Sequence, residues 1–289
     1  MFGLFKTSAP IPSYHDFLAG RFRRFGAAAQ AANPLWLFVH VPKTAGSSMN
    51  GELWHSLFPR HHIYIDYAKL TPEEARQDYA ALFDAYVDRF VVMTQKRRFR
   101  YVTGHLNAAQ VARICAAVPY AAPVTLLREP VARFISDYRY QCSAMHPGNE
   151  TFRAACPTIE AYLERPWEHN KIAGSLLPAA LREAGDAAVC AAWLMDNYAF
   201  IGLQEKYALS LHVLTWLGGA AKAPTFHRRV NPLTEEEAAA MTPALRARIA
   251  AANGLDVAIY RAVSERFLAV VPRLTGFLDR VAPIGLGMG

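Results

Sequence analysis

"FVHVPKTAGSSMN", residues 38–50, is the stretch on which the reading of this chain turns. It completes "LWLFVHV" (35–41), an apolar run rich in aromatic and β-branched residues, the composition of a strand buried on both faces of a parallel sheet. Pro42 stops that strand, and helix signals run from Ser47 to about Leu57. Between them lies a loop of small residues, hydroxyls and one cation. A helix N-terminus leaves amide N–H groups unpaired and carries partial positive charge, so this strand–loop–helix reads as a cradle for an anion. Gly46 is expected to let the backbone approach a ligand, Lys43 adds a full charge, and Thr44, Ser47 and Ser48 add hydroxyl donors. A nucleoside-triphosphatase loop would read GxxxxGK[ST]. Here Lys43 precedes Gly46 and the loop is shorter, which disfavours an ATPase or GTPase.

Working outward, "FRYVTGH" (99–105), "PVTLLREP" (123–130) and "NYAFIGLQE" (197–205) read as further strands. Helical patterns lie between and after them, over 131–142, 206–217, 242–253 and 255–271, with Asn253-Gly254 as a break. "TPEEARQDYAALFDAYVDRF" (71–90) predicts one helix with Thr71 as N-cap, Pro72 at its first position and Glu74 completing a capping box. "FLAGRFRRFGAAAQAA" (17–32) predicts a basic amphipathic helix, packed on its own domain in preference to a membrane surface. Strands separated by helices argue for an α/β fold: a single P-loop-type (NTPase-like) domain with a central parallel sheet flanked by helices. The expected boundaries are an irregular or helical leader over 1–34, the domain over 35–272 and a flexible tail over 273–289.

Hydrophobic residues make up 53% of the 289 residues and charged ones 19%, a globular composition. Lys and Arg number 31 against 24 Asp and Glu, a net charge of +7 that suits a phosphorylated or polyanionic ligand. No zinc finger, RNP-type motif or basic heptad pattern is present, so nucleic acid is not the expected partner. Cys115, Cys142, Cys156 and Cys190 show no CxxC or zinc-type spacing and read as core thiols in a reducing compartment. Neither a secretory signal nor a transmembrane run is visible, and no metal site is expected.

"PKTAGSS" (42–48) resembles the 5′-phosphosulfate loop of sulfotransferases that use 3′-phosphoadenosine 5′-phosphosulfate (PAPS). Within them it looks most like the carbohydrate group that includes the uronyl and heparan sulfate 2-O-sulfotransferases. "LLREPVARFISDY" (126–138) is similar to the family's 3′-phosphate signature, whose arginine and serine fall on Arg128 and Ser136. Weaker similarity runs, with gaps, from about residue 36 to 268, through "YVTGHL", "FIGLQEKYALSLHVL" and "NGLDVAIYRAVSERF".

The resemblance implies transfer of a sulfuryl group from PAPS to an acceptor hydroxyl, without a catalytic metal. Lys43 would donate to the bridging oxygen of the leaving phosphate. The 44–48 segment (Thr44, Ala45, Gly46, Ser47 and Ser48) would hold the 5′-phosphate, and Arg128 with Ser136 the 3′-phosphate. His105, after the strand "RYVTG", matches the position of the catalytic histidine in the 2-O group and is the expected base. His40, inside the first strand run, is expected to be buried and hydrogen-bonded. In "TFHRRVNP" (225–232), Arg228 or Arg229 would bind the 3′-phosphate or an acidic sugar, with a solvated charge pair as the equal reading. Glu205 is expected to organise the "GLQE" turn. The acceptor is expected to be a carbohydrate, and the location cytoplasmic. A small-molecule or lipid acceptor, or a catalytically silent anionic-glycan or nucleotide-binding module, are the rival readings; an acceptor panel and the presence of turnover separate them.

Overall fold

Five strands make one sheet in the order β2-β3-β1-β4-β5, with every neighbouring pair parallel. They are β1 (Leu35–Val39), β2 (Arg60–His62), β3 (Tyr101–Gly104), β4 (Ala121–Leu127) and β5 (Phe200–Leu203). This computed structural model describes residues 11–219, 221–225 and 241–284. All residues of β1, β3, β4 and β5 are buried, because helices cover both faces of a parallel sheet. β2 is half-buried and lies at the edge. Its short "RHH" carries no apolar signal, which is why the sequence does not announce it.

From β1 the chain runs out to the edge strand β2, returns to β3, and then crosses β1 to β4 on the far side. The chain therefore reverses its direction of travel across the sheet at β1 and β4. Loops leaving two such neighbouring strands diverge and open a crevice at their carboxyl ends, where open α/β sheets bind ligands. The loop after β1 and Arg128 after β4 both stand at that crevice. Thr125 Oγ1, opposite Val39 in the register, donates to the Val39 carbonyl at 2.8 Å and ties the two strands at its rim.

The expected helices after β1 and β4 are present as Gly46–Ser56 and Pro130–Cys142. The expected helix over 71–90 is not one helix. Its capping box forms, with the Thr71 amide donating to Glu74 Oε2 at 2.8 Å and the Glu74 amide to Thr71 Oγ1 at 3.2 Å, but it closes only the 3₁₀ turn Glu74–Arg76. Arg89 Nη2 donates to the other Glu74 carboxylate oxygen at 2.5 Å, so the box docks onto the next helix instead of opening it. That helix is Tyr79–Lys96, capped by Asp78, which accepts from the amides of Ala80 and Ala81.

The leader and the C-terminal helix both pack into the core. The leader forms helices Tyr14–Leu18 and Phe22–Ala32, with Tyr14, Phe17, Phe25 and Ala29 in the main core. Tyr14 Oη donates to the Ile201 carbonyl of β5 at 2.8 Å. At the other end the helix Gly254–Val281 continues through Pro272, burying Leu274, Phe277 and Leu278, so residues 273–281 are not a loose tail. Arg228, Arg229 and the last five residues lie outside the described residues. All four cysteines are free thiols. Among the described residues no helix is long and apolar enough to cross a membrane.

Candidate functional site

The loop between β1 and the helix Gly46–Ser56 is held open by its own backbone. Lys43 and Ala45 both take left-handed conformations, φ 68° and 65°, which non-glycine residues rarely adopt. Alternating left- and right-handed residues turn successive amides toward one side and form an anion-binding concavity. Ala45 is the N-cap, and no side chain caps the helix. The amides of Ala45, Gly46 and Ser47 find no acceptor among the described residues. Unpaired amides converging at a helix start are what an anion needs.

The side chains of the loop divide between inward and outward duties. Thr44 is fully buried, and its hydroxyl donates to the Val41 carbonyl at 2.9 Å. That proton closes the loop, so here the Thr44 hydroxyl is turned to the loop's own backbone. Ser48 is buried and Ser47 is exposed in the first helical turn. Gly46 also has a packing duty. A Cβ there would lie 1.9 Å from Cδ2 of the His40 ring, so the missing side chain makes room for His40.

Arg128 leaves β4 and donates from Nη1 to the Lys43 carbonyl at 3.1 Å. Its Nε is buried without a hydrogen-bond partner among the described residues. Burial, reinforced by nearby Arg133 and opposed by Glu205 and Glu129, pulls the guanidinium below its ordinary pKa. A desolvated cation with an idle donor beside unpaired amides is a seat for negative charge. The Lys43 ammonium lies 3.8 Å from the centre of the Tyr140 ring. Tyr140 is one helical turn beyond Ser136, so the two share a face of Pro130–Cys142, and that face meets the loop. The structure therefore brings Lys43, Arg128 and the Ser136 face together. Glu205 Oε1 accepts from the Glu129 amide at 2.7 Å and braces the turn after β4.

His105 stands on the other flank. The His40 amide donates to the Gly104 carbonyl at 3.0 Å, and His105 Nδ1 lies 2.8 Å from the His40 carbonyl. A carbonyl only accepts, so Nδ1 carries the proton and Nε2 keeps a lone pair. The His40 and His105 rings stack at 4.3 Å. Burial lowers the His105 pKa against the opposing pull of that hydrogen bond, which favours the neutral ring. His40 sits one residue beyond β1 and is half-buried. Burial first, then repulsion from His105, His62 and Lys43, holds it down to about 3. His62 is held at about 4 by burial and by His105 and His61. Among the described residues no three His, Cys, Asp or Glu side chains are placed to hold a metal ion.

Two contributors escape a reading of the sequence. Tyr140 gives only a faint signal, an aromatic one turn after Ser136. Glu52 is the only acid in the helix Gly46–Ser56; it is fully buried, with Lys222 Nζ at 2.6 Å and the Thr225 amide and hydroxyl at 2.5 and 3.1 Å. It anchors residues 222–225 to the loop helix.

No protein-family model and no curated protein matches this chain. Among solved structures it is similar to a sulfotransferase from Alicyclobacillus acidocaldarius, at 15% identity over 86% of this chain and 96% of that one, with a TM-score of 0.41. A likeness that remote carries no argument about chemistry, which has to come from the residues themselves.

Proposed function

We propose that this chain is a PAPS-dependent sulfotransferase acting on a carbohydrate hydroxyl. The observation that carries the reading is the 3.1 Å hydrogen bond from Arg128 to the Lys43 carbonyl. It puts two anion seats, the open amides after β1 and the idle Arg128 donor after β4, side by side at one crevice. An adenylate with phosphates at both ends of its ribose needs that arrangement. The two sequence signatures of the family fall on these two seats.

In this reading the amides of Ala45, Gly46 and Ser47, with the Ser47 hydroxyl, hold the 5′-phosphate. Arg128 and Ser136 hold the 3′-phosphate. Lys43 leaves the Tyr140 ring and donates to the oxygen that departs with the phosphate, stabilising the charge that grows there as the sulfur–oxygen bond breaks. His105 Nε2 takes the proton of the attacking hydroxyl, and the His40 carbonyl keeps the ring in the tautomer that can do so. Alignment and charge stabilisation by these groups suffice, as in phosphoryl transfer. A sugar acceptor is supported by an exposed ring next to this flank: Tyr64, 48% exposed, lies 4.8 Å from the His62 ring. Flat apolar rings bordering a polar cleft suit the faces of pyranose rings.

Calorimetry with adenosine 3′,5′-bisphosphate and transfer of label from PAPS to a panel of glycans and small alcohols test the proposal. Binding and transfer are expected in the wild type, with transfer lost in Lys43→Ala and nucleotide binding weakened in Arg128→Ala. Binding without turnover on any acceptor would favour the silent module; transfer only to small alcohols would remove the carbohydrate. Normal turnover by His105→Ala would remove the base.

A further inference from the structure

Away from the crevice, a cavity of about 680 Å³ opens between the start of the helix Phe22–Ala32 and the last turns of Gly254–Val281. Its walls carry five arginines: Arg21, Arg23, Arg24, Arg273 and Arg280. It shares no residue with the loop after β1, with Arg128 or with His105. We propose that this cavity is a second anion site, which binds a compact phosphate ester carrying two negative charges. This inference does not rest on the sulfuryl-transfer reading.

The charges are unbalanced. Asp16 pairs with Arg21 at 2.7 Å and with Arg24 at 3.0 Å, so one carboxylate serves two guanidiniums. Arg23, Arg273 and Arg280 make no ion pair among the described residues. Placement makes this worse. Arg23 and Arg24 occupy the first turn of their helix, which holds no acidic residue and has no side-chain cap, so cations crowd the positive end of the helix dipole. Arg280, in the last turn of its own helix, is favourably placed, but it faces the same cavity. Five guanidiniums gathered around a single paired carboxylate raise the energy of the empty site, and an anion relieves it.

The shape selects the class of anion. Phe22 and Phe277 are buried and touch, ring centres 5.4 Å apart, and give the cavity a rigid apolar floor. Gly20 and Gly276 keep its walls low, and the Arg273 guanidinium lies 2.9 Å from where a Gly20 Cβ would be. Guanidinium forks match tetrahedral oxyanions, and forks on two walls suit a group with more than one charge. A concave volume of this size fits a small ligand or a single headgroup better than an extended polymer strand. The ester could arrive free or at the head of a lipid, and the chemistry is the same.

The test uses the full chain in an Arg128→Ala background, which weakens the crevice site, and the arginine variants then report the cavity alone. Titration with glycerol 3-phosphate, and co-sedimentation with phosphatidylcholine vesicles with and without phosphatidic acid, are each run with and without Arg23→Ala plus Arg273→Ala. Saturable binding that becomes about tenfold weaker without the two arginines is expected. The effect should shrink as salt rises. A response to glycerol 3-phosphate assigns a free phosphate ester; a response only to phosphatidic acid vesicles assigns a lipid headgroup. Thermal melts confirm that the variant folds. Absence of binding to both probes, or equal binding by the folded arginine variant, overturns the proposal.

Discussion

Replacing Gly46 with alanine tests the packing between the loop and the histidines. Gly46 does not have a positive φ, so alanine meets no backbone strain there. As the first residue of Gly46–Ser56, it should if anything gain helix propensity, about 1 kcal/mol at most. Against that stands the His40 ring, with Cδ2, Nε2 and Cγ at 1.9, 2.2 and 2.8 Å from the added methyl. The ring cannot simply retreat, because the His105 ring stacks on it at 4.3 Å. Overpacking of this kind costs about 1–3 kcal/mol, leaving a net loss of about 1–2 kcal/mol. In a chain of this size that is a fall in Tm of about 2–3 °C. Thermal denaturation of the wild type, Gly46→Ala, His40→Ala and the double variant forms a cycle. The alanine at position 46 should cost nothing once the His40 ring is gone, giving a coupling of about 1–2 kcal/mol. Had Gly46 been selected for a ligand's approach, Gly46→Ala would melt like the wild type and lose only anion binding. That result, or simple additivity in the cycle, would refute the reasoning.

Glu52→Ala should destabilise the fold by about 3 kcal/mol, since it strips Lys222 and the Thr225 amide of their buried acceptor, and urea denaturation reads it. Restoration of stability by Lys222→Ala in the same background would show that the stranded ammonium carries most of the cost. For pH, His62 titrates at about 4 in the fold against an ordinary value near 6.5. Between these values the unfolded chain binds the proton and the fold does not, so the His62 contribution is complete above pH 6.5 and is lost as pH falls toward 4. Wild type should therefore lose about 1–2 kcal/mol more than His62→Asn between pH 7 and 4, allowing for solvent screening at a half-buried ring. Parallel stability curves would contradict it. Using the variant as reference cancels the opposing trend from Asp256, which burial raises to about 6.

Much of the fold is legible in the chain because the signals are local. Continuous apolar runs ending in Pro42 and Pro130 mark β1 and β4, and helix patterns follow each at once. Parallel pairing follows from that alternation, and the anion loop from the crowding of Lys43, Gly46 and hydroxyls at a strand end. The edge strand β2 has no such signal, and the Thr71–Glu74 box misleads because Arg89, from a later turn, takes the free oxygen of Glu74 and docks the box onto the side of the helix.

Strand order, and therefore which loops meet, is a property of the crossovers and is absent from any short window of sequence. Only the folded chain sets Arg128 on the carbonyl of Lys43, Tyr140 under its ammonium and His105 on the carbonyl of His40. The same holds for Gly46, whose smallness serves a neighbouring ring, and for the arginines of two distant helices that share one cavity. Residue type and spacing dictate which elements form, since backbone geometry and burial act within a few residues. What a side chain does depends on atoms brought in from tens of residues away, and packing alone decides which those are.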